Sequence, residues 1–478
     1  MKLSRTVVFA ILVALVIGSC AKEVVEEEFS PTDSHENYRD ALTSLELEST
    51  EMGEAWIEAD RRAMERPTAL DPPAAEVVFF DPREPGAVGY RFPVSRGRRV
   101  EIRVDAEHDR YFADVFRAPE DEDAEPELVA SRPEGEDLIA FEARSNEYYL
   151  LRLQPELLRG GRFEVRVTTG AALAFPVEDA SAADIWSFFG DGRDGGRRIH
   201  HGIDIFAPRG APVLATGDAT VMRVGRRDRG GNVVVLRDEE RDIMLYYAHL
   251  DEQLATQGAR VAAGDVIGTV GNTGNARTTP PHLHIGIYQG GWRRPVDPWA
   301  YFVDPPVVDP PAVEHAELVG SWAQVARPVN ASAELPRVTA GRVAHANRNP
   351  YLQGAGDTFE GAEADLQSEP DPPPPALVAE LASGTAARVV GASGDRVRIR
   401  TPAGDTGYVE LSALADADAS GTERTLTEAH LLRDPRVGDA FGELEAGARV
   451  TTVGETTRGS LVLLPSGRAA ILDPVSGS

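Results

Sequence analysis

The chain has 478 residues, 49 Lys+Arg against 77 Asp+Glu, and a formal net charge of −28. The length suggests three to four domains at about 150 residues each, and an apolar fraction of 42% is enough to build packed cores. The acidic balance argues against a nucleic-acid partner, which needs clustered positive charge, and against electrostatic docking on an anionic lipid surface.

The N-terminus reads as a targeting segment. Met1 to Arg5 is a short basic start, and Thr6 to Ile17 is an apolar run too short for a comfortable transmembrane helix. Ile17-Gly18-Ser19-Cys20 then gives apolar, small, small, Cys. Cys20 is the only cysteine, so neither an intrachain disulfide nor a cysteine zinc site is available. The tetrapeptide resembles a bacterial lipobox. The resemblance implies that residues 1–19 are a signal peptide, that Cys20 is acylated, and that the protein is lipid-anchored in the cell envelope. By the sorting pattern of enteric bacteria, Ala21 in place of Asp implies the outer membrane, facing the periplasm, with the inner membrane left open by the sequence. The plain alternatives are an ordinary signal peptide with a stray Cys and an uncleaved anchor.

Residues 20–70 read as an acidic tether followed by an amphipathic helix. Ser30-Pro31-Thr32-Asp33 is a helix start. Tyr38, Leu42, Leu45, Ser49, Met52, Trp56, Ala59 and Ala63 then recur at alternating steps of four and three, one helical face, until Pro67. Ser49, Ala59 and Ala63 are weak coiled-coil seam residues, so the stripe is expected to pack on the next domain.

Over residues 76–170 the period changes to two, as at Val100, Ile102 and Val104 and at Phe163, Val165 and Val167. Turn clusters such as Arg96-Gly97 and Gly160-Gly161 separate the runs, which predicts a small antiparallel β-sandwich. The stretch from Tyr148 to Val167 resembles the end of a bacterial prepeptidase-type sandwich. Asp114 and the acidic loop from Glu120 to Glu127 read as a solvated loop rather than a calcium site.

Residues 304–312, with two Asp-Pro-Pro triplets, are a stiff Pro-rich linker. Residues 313–415 and 422–478 carry an internal repeat, with residues 353–375 as a long Gly-, acid- and Pro-rich insertion in the first copy. Glu380-Leu381, Val390-Gly391, Pro402-Ala403-Gly404 and Tyr408-Val409 recur as Glu443-Leu444, Val453-Gly454, Pro465-Ser466-Gly467 and Ile471-Leu472, always 63 positions later. The copies resemble bacterial SH3-like modules, most clearly in Val397-Arg398-Ile399-Arg400 and Gly407-Tyr408-Val409. Such modules often bind cell-wall peptide.

Between the sandwich and the linker lies the block 171–303. Five of the ten histidines fall between His200 and His284. His200 and Asp204 stand four apart, His249 follows Tyr246-Tyr247-Ala248, and His282-Leu283-His284 is H-x-H in a strand-like context. On a strand, residues i and i+2 share a face, so His282 and His284 project together. Two imidazoles and a carboxylate are a proper donor set for zinc with a fourth position open, the mark of a catalytic rather than a structural site.

This block resembles the lysostaphin-type (LytM) zinc metallopeptidases, which cut peptide bonds in peptidoglycan. The matching pieces are His200-x-Gly202-Ile203-Asp204, Ala207-Pro208-x-Gly210-x-Pro212-Val213, Tyr247-Ala248-His249-Leu250, Gly264-Asp265-x-Ile267-Gly268, Gly271-Asn272-Thr273-Gly274 and His282-Leu283-His284. The resemblance implies an antiparallel β-sheet peptidase domain, His200, Asp204 and His284 as ligands of Zn2+, His249 and His282 as catalytic histidines, and peptidoglycan peptide stems as substrate. His201 is adjacent to a ligand but outside the motif, so it reads as a supporting or solvent-facing residue. Thr278-Thr279-Pro280-Pro281 before the pair and Ile285-Gly286 after it depart from the family pattern, and alter the groove edge rather than the metal chemistry.

Zinc in such a site polarises a scissile carbonyl and acidifies a water. With no Glu base of the H-E-x-x-H kind, a histidine must handle the proton. His282 is the favoured base and His249 the orienting or oxyanion-stabilising group, although the two roles are exchangeable on sequence grounds. The expected architecture is mainly β: an N-terminal helix, a small sandwich, the peptidase sheet and two small SH3-like barrels. Two function classes follow, a peptidoglycan endopeptidase and a non-catalytic LytM-like scaffold that binds wall or activates another hydrolase.

Overall fold

Alternating apolar residues dominate the chain, and the fold they build is mainly antiparallel β. The computed structural model describes residues 34–478 apart from 120–123, 194, 307–308, 333–376, 382, 402–405, 420–421, 435–437, 457–458, 465–468 and 475–478. Cys20, the tether, the helix start at Ser30, most of the 120–127 loop and the 353–375 insertion therefore lie outside or at the edge of the described residues.

The helical stripe is not one helix but two. Helix α1 (His35–Ser44) and helix α2 (Glu51–Glu65) are separated by a 3-10 turn at Leu47–Ser49. Glu46 enters that turn with a left-handed φ of 57°, and the Thr50 hydroxyl caps α2 by accepting from the Gly53 N–H at 3.1 Å. The turn keeps Tyr38, Leu42, Trp56, Ala59 and Ala63 buried together. As expected from the stripe, they pack on the sandwich, where the Trp56 indole N–H donates to the Pro155 carbonyl at 2.9 Å.

The sandwich has two sheets. One runs Thr68–Ala69, Val88–Val94, Glu147–Pro155, Tyr111–Arg117, Glu127–Ser131; the other includes Ala74–Phe80, Gly161–Ala171, Arg98–Ala106 and Leu138–Glu142. Val100, Ile102, Val104, Phe163, Val165 and Val167 fill the space between them. Asp114 accepts from Arg152 at 2.6 Å, and Arg152 also reaches Asp60 of α2 at 3.0 Å, so Asp114 serves an ion-pair network.

The second sheet does not stop at the sandwich. Its strand Ala74–Phe80 pairs with Ala386–Ser393 of the first repeat copy, Val77 opposite Ala392 and Val78 opposite Gly391. The strands Ala386–Ser393, Arg396–Arg400 and Thr406–Glu410 recur as Arg449–Thr456, Gly459–Leu463 and Ala469–Pro474, keeping the 63-residue offset. Both copies dock through the same face. In the first copy, a Cβ on Gly391 would lie 2.5 Å from the Glu76 carboxylate, and Arg398 and Tyr408 bond that carboxylate. In the second, a Cβ on Gly454 would lie 2.5 Å from Ala386 of the first copy, and Leu461 and Ile471 pack there. Gly454, Leu461 and Ile471 occupy the repeat positions of Gly391, Arg398 and Tyr408. The face is polar in one copy and apolar in the other.

The block 171–303 forms an eight-stranded sheet in the order Ile185–Ser187, Ile203–Phe206, His282–Gln289, Ile243–Leu250, Gly231–Asp238, Ala219–Arg227, Arg260–Val261, with Arg294–Val296 on the His282–Gln289 strand. One face buries Ile203, Ile205, Val234, Leu236, Leu245 and Tyr247 with Leu283, Ile285 and Ile287. Short helix α3 (Trp299–Phe302) closes this core. Arg241 joins the block to the sandwich through two bonds to Glu142, at 2.7 and 2.6 Å.

Candidate metal centre and catalytic histidines

The face opposite that core carries the site. Leu283, Ile285 and Ile287 point into the core, so His282 and His284 point away from it. Register then sets the neighbours: Asp204 lies opposite His284 on one side and Ala248 on the other, while Phe206 lies opposite His282. The H-x-H reading on a strand is thus what the backbone delivers. Gly202 permits the close pairing, since a Cβ there would sit 2.8 Å from His284 Cε1 and 2.3 Å from the Ile285 carbonyl oxygen.

Three donor atoms converge. His200 Nε2 lies 3.0 Å from Asp204 Oδ1 and 2.9 Å from His284 Nδ1, and His284 Nδ1 lies 2.9 Å from Asp204 Oδ1. Among the described residues, His200, Asp204 and His284 are the one group of this kind. The Nδ1–H of His200 donates to the Phe188 carbonyl at 2.8 Å, which leaves Nε2 with its lone pair aimed at the cluster. A ring nitrogen lone pair facing another ring nitrogen and a carboxylate is a poor hydrogen-bond arrangement and a good cation cage.

The other two histidines are oriented in the same way. His249 Nδ1 donates to the Thr273 carbonyl and His282 Nδ1 to the Pro280 carbonyl, each at 2.9 Å, so both present a free Nε2. Their ring centroids are 5.1 Å apart, and His249 is 6.0 Å from His284. His249 adopts a left-handed φ of 64° at the end of its strand, a conformation a β-region side chain avoids. The Gly271-Asn272-Thr273-Gly274 motif holds it there. The Thr273 hydroxyl donates to the Leu250 carbonyl at 2.9 Å, and Gly274, with φ 74°, passes so close to the Arg229 carbonyl that a Cβ would lie 2.1 Å from it. Phe206 stacks on His282 at 5.0 Å, and the exposed Trp186 stacks on Phe206 at 4.7 Å.

Electrostatics follow from burial and contacts. Burial raises the Asp204 carboxyl, but the close contacts with His200 and His284 outweigh it and hold the group well below the carboxylate range. Burial, then the charges of His284 and His282, pushes His249 down to about 4, so it is a neutral acceptor at neutral pH. Burial lowers His284 as well. His201 is exposed, with its ring 6.5 Å from Tyr288, and is not one of the converging group.

The structure adds residues that the sequence did not single out. Arg193 donates to Asp204 Oδ2 at 3.1 Å, holding the oxygen that the histidines do not use. Asp191 accepts from the Ser187 hydroxyl at 3.1 Å and the Phe188 N–H at 2.8 Å, fixing the loop whose carbonyl orients His200. These residues sit in a Gly- and charge-rich loop, Gly190 to Gly196, with no motif spacing to mark them.

Comparison with known proteins finds matches over the same block. Residues 198–298 match the family model described as Peptidase family M23. The chain is 43% identical over 101 residues to the DD-carboxypeptidase/endopeptidase Mpg of Neisseria meningitidis serogroup B, covering 21% of this chain and 22% of that protein. It is 39% identical over 128 residues to the L-Ala--D-Glu endopeptidase of Bacillus subtilis, covering 25% and 39%. The catalytic domain of lysostaphin from Staphylococcus simulans is 30% identical, covering 24% of this chain and 85% of that one, with a TM-score of 0.21. The chain thus spans well under half the length of these two curated relatives. With matched motifs, strand register and converging donors in one place, the block at 198–298 is a peptidase domain of the M23, LytM-type, family.

Proposed function

We propose that this protein is a zinc-dependent endopeptidase that hydrolyses peptide cross-links in peptidoglycan. The observation that carries the reading is the convergence of His200 Nε2, Asp204 Oδ1 and His284 Nδ1 within 3.0 Å of one another, beside two histidines with free Nε2 atoms. Two neutral nitrogens and one carboxylate oxygen suit zinc, and the matched relatives are named as a DD-carboxypeptidase/endopeptidase, an L-Ala--D-Glu endopeptidase and a peptidoglycan DD-endopeptidase. Bound there, zinc would supply Lewis-acid polarisation of the scissile carbonyl and an acidified water.

The chain's own residues do the rest. Arg193 occupies Asp204 Oδ2, so the carboxylate offers Oδ1 alone. The Phe188 carbonyl keeps His200 in the tautomer that exposes Nε2. His282 Nε2 accepts a proton as general base, with its ring braced by Phe206 and by the Pro280 carbonyl. His249, held neutral by burial, orients the attacking water or the developing oxyanion. The lipobox-like tetrapeptide supports a second part of the proposal: Cys20 carries acyl chains that hold the protein at the outer membrane, facing the periplasm.

Mass spectrometry of muropeptides released from purified sacculi, with and without chelator, tests the activity. Chelator-sensitive release of cut cross-links is expected. A folded, zinc-loaded protein that releases nothing would instead favour the scaffold class. For the anchor, Cys20→Ala is expected to move the protein out of the membrane fraction or leave it unprocessed, and unchanged partitioning would remove the lipid.

A further inference from the structure

The floor of the site continues sideways from His284 across three neighbouring strands. Register keeps the faces aligned: Tyr246 lies opposite Gly286, two pairs along from the His284–Ala248 pair and so on the same face, Val235 lies opposite Tyr246, and Arg223 lies opposite Val235. Arg227, opposite Gly231, is four positions from Arg223 and shares its face. Tyr246 links the ends. Its ring is 6.0 Å from His284, and a Cβ on Gly230, at the hairpin tip beside Arg227, would lie 2.1 Å from its hydroxyl. Trp292 walls the same side, exposed and edge-on to Tyr246 at 5.8 Å.

The charge there is out of keeping with the molecule. Net charge is −28, yet Arg223, Arg226, Arg227 and Arg229 crowd one end of an exposed hairpin, whose turn holds Asp228 as its acid. Among the described residues, none of these four arginines has an ion pair, whereas Arg152, Arg209, Arg241 and Arg398 are all paired. Unpaired cations on the site face of an acidic protein form a local field that favours an anion.

We infer that Arg223 and Arg227 bind a free carboxylate on the substrate, so that the preferred substrate is an acidic cross-linked stem peptide rather than a neutral glycyl bridge. The inference rests on the endopeptidase reading and adds its specificity. Three strand spacings separate the backbone of His284 from that of Arg223, roughly 14 Å, and an arginine side chain shortens the gap. An extended peptide advances about 3.4 Å per residue. The carboxylate recognised thus lies two to three residues from the scissile bond, with Tyr246 and Trp292 as the apolar surface between.

The test uses the full-length, zinc-loaded protein and two soluble cross-linked peptides that are identical except that the stem carboxylates are free in one and amidated in the other. Wild type is expected to favour the free acid by about five- to ten-fold in kcat/KM, mainly through KM, the size that two exposed charge contacts supply. Arg223→Gln with Arg227→Gln is expected to bring the ratio close to one with an unchanged unfolding midpoint, and Arg223→Glu with Arg227→Glu to invert it. A wild-type ratio near one overturns the inference and leaves the endopeptidase reading standing, as does a glutamine pair that keeps the wild-type ratio. Cleavage of neither peptide overturns both.

Discussion

Two buried polar clusters in this molecule use similar residue types and satisfy them in opposite ways. Between the sandwich and the first repeat copy, Glu76 accepts from Tyr90 at 2.5 Å, Tyr408 at 2.6 Å and Arg398 at 2.9 Å, and Arg398 also donates to Thr68 at 3.0 Å. Donors there meet acceptors, and the net charge of the pair is zero. In the peptidase domain, His200, Asp204 and His284 turn acceptors toward one point, while their donors are committed elsewhere, as His200 Nδ1 is to the Phe188 carbonyl. A cluster that closes on itself is a weld. A cluster whose lone pairs converge is a seat for a cation, and its residual energy belongs to the ligand.

The sharpest way to break the contrast lies within one strand. His284→Ala removes one of the three converging donors, so zinc and activity should vanish together. His282→Ala leaves all three donors in place. It should retain zinc at saturating metal while hydrolysis falls roughly 10²–10⁴-fold, the usual worth of a general acid–base group. Elemental analysis beside hydrolysis rate checks both, and a zinc-free His282→Ala would transfer that residue to the ligand set.

The weld should respond in the opposite currency. Arg398→Ala strands Glu76, which is 1% exposed, and removal of one member of a buried pair costs about 3–5 kcal/mol. Burial already raises the Glu76 carboxyl against the pull of Arg398, Tyr408 and Tyr90, so a stranded Glu76 escapes part of the loss by protonating. Glu76→Gln together with Arg398→Met should lose less than Arg398→Ala alone. Denaturant unfolding measures this, and zinc content should not move in either variant. Ending the chain after Phe302 removes Arg398 and Tyr408 together and bares the strand Ala74–Phe80. That truncation should loosen the sandwich while the peptidase domain keeps its metal.

The same contrast explains what could be read from sequence. The site was legible because its residues sit in short motifs on strands, where a spacing of two fixes a common face, as at His282 and His284. The Arg193 contact with Asp204 was not, because a Gly-rich loop has no periodicity to say where its side chains return. The weld joins Glu76 to Arg398, 322 positions away, and no local pattern carries such a pairing. The repeat itself was legible at its 63-residue offset, yet its docking face was hidden, since Arg398 and Tyr408 in one copy stand where Leu461 and Ile471 stand in the other. The break between α1 and α2 escaped because a left-handed Glu46 and a 3-10 turn preserve the four-and-three stripe while interrupting the helix.

A third buried cluster supplies the smallest effect and fixes its sign. His35 lies in α1, 5% exposed, stacked on Trp56 at 4.8 Å. Gln154 donates its amide to the Trp56 carbonyl at 2.8 Å, which turns its oxygen toward His35 Nε2 at 2.7 Å, so the histidine donates there. Burial, then the Arg152 charge, lowers its pKa to about 4, with Asp60 and Gln154 opposing. The unfolded chain, with an ordinary value near 6.5, takes up the proton first. The stabilisation is therefore complete above about pH 6.5 and is lost as pH falls toward 4, by a total on the order of 3 kcal/mol. Buried His249 and His284 are lowered too and share the window between about pH 6.5 and 5, so the difference in slope between the wild type and a His35 variant isolates His35. Unfolding midpoints followed by tryptophan fluorescence should fall more steeply across that window in the wild type than in His35→Gln. Equal slopes in the two proteins would mean that His35 is protonated in the folded hairpin, with Asp60, 3.9 Å away, as its partner.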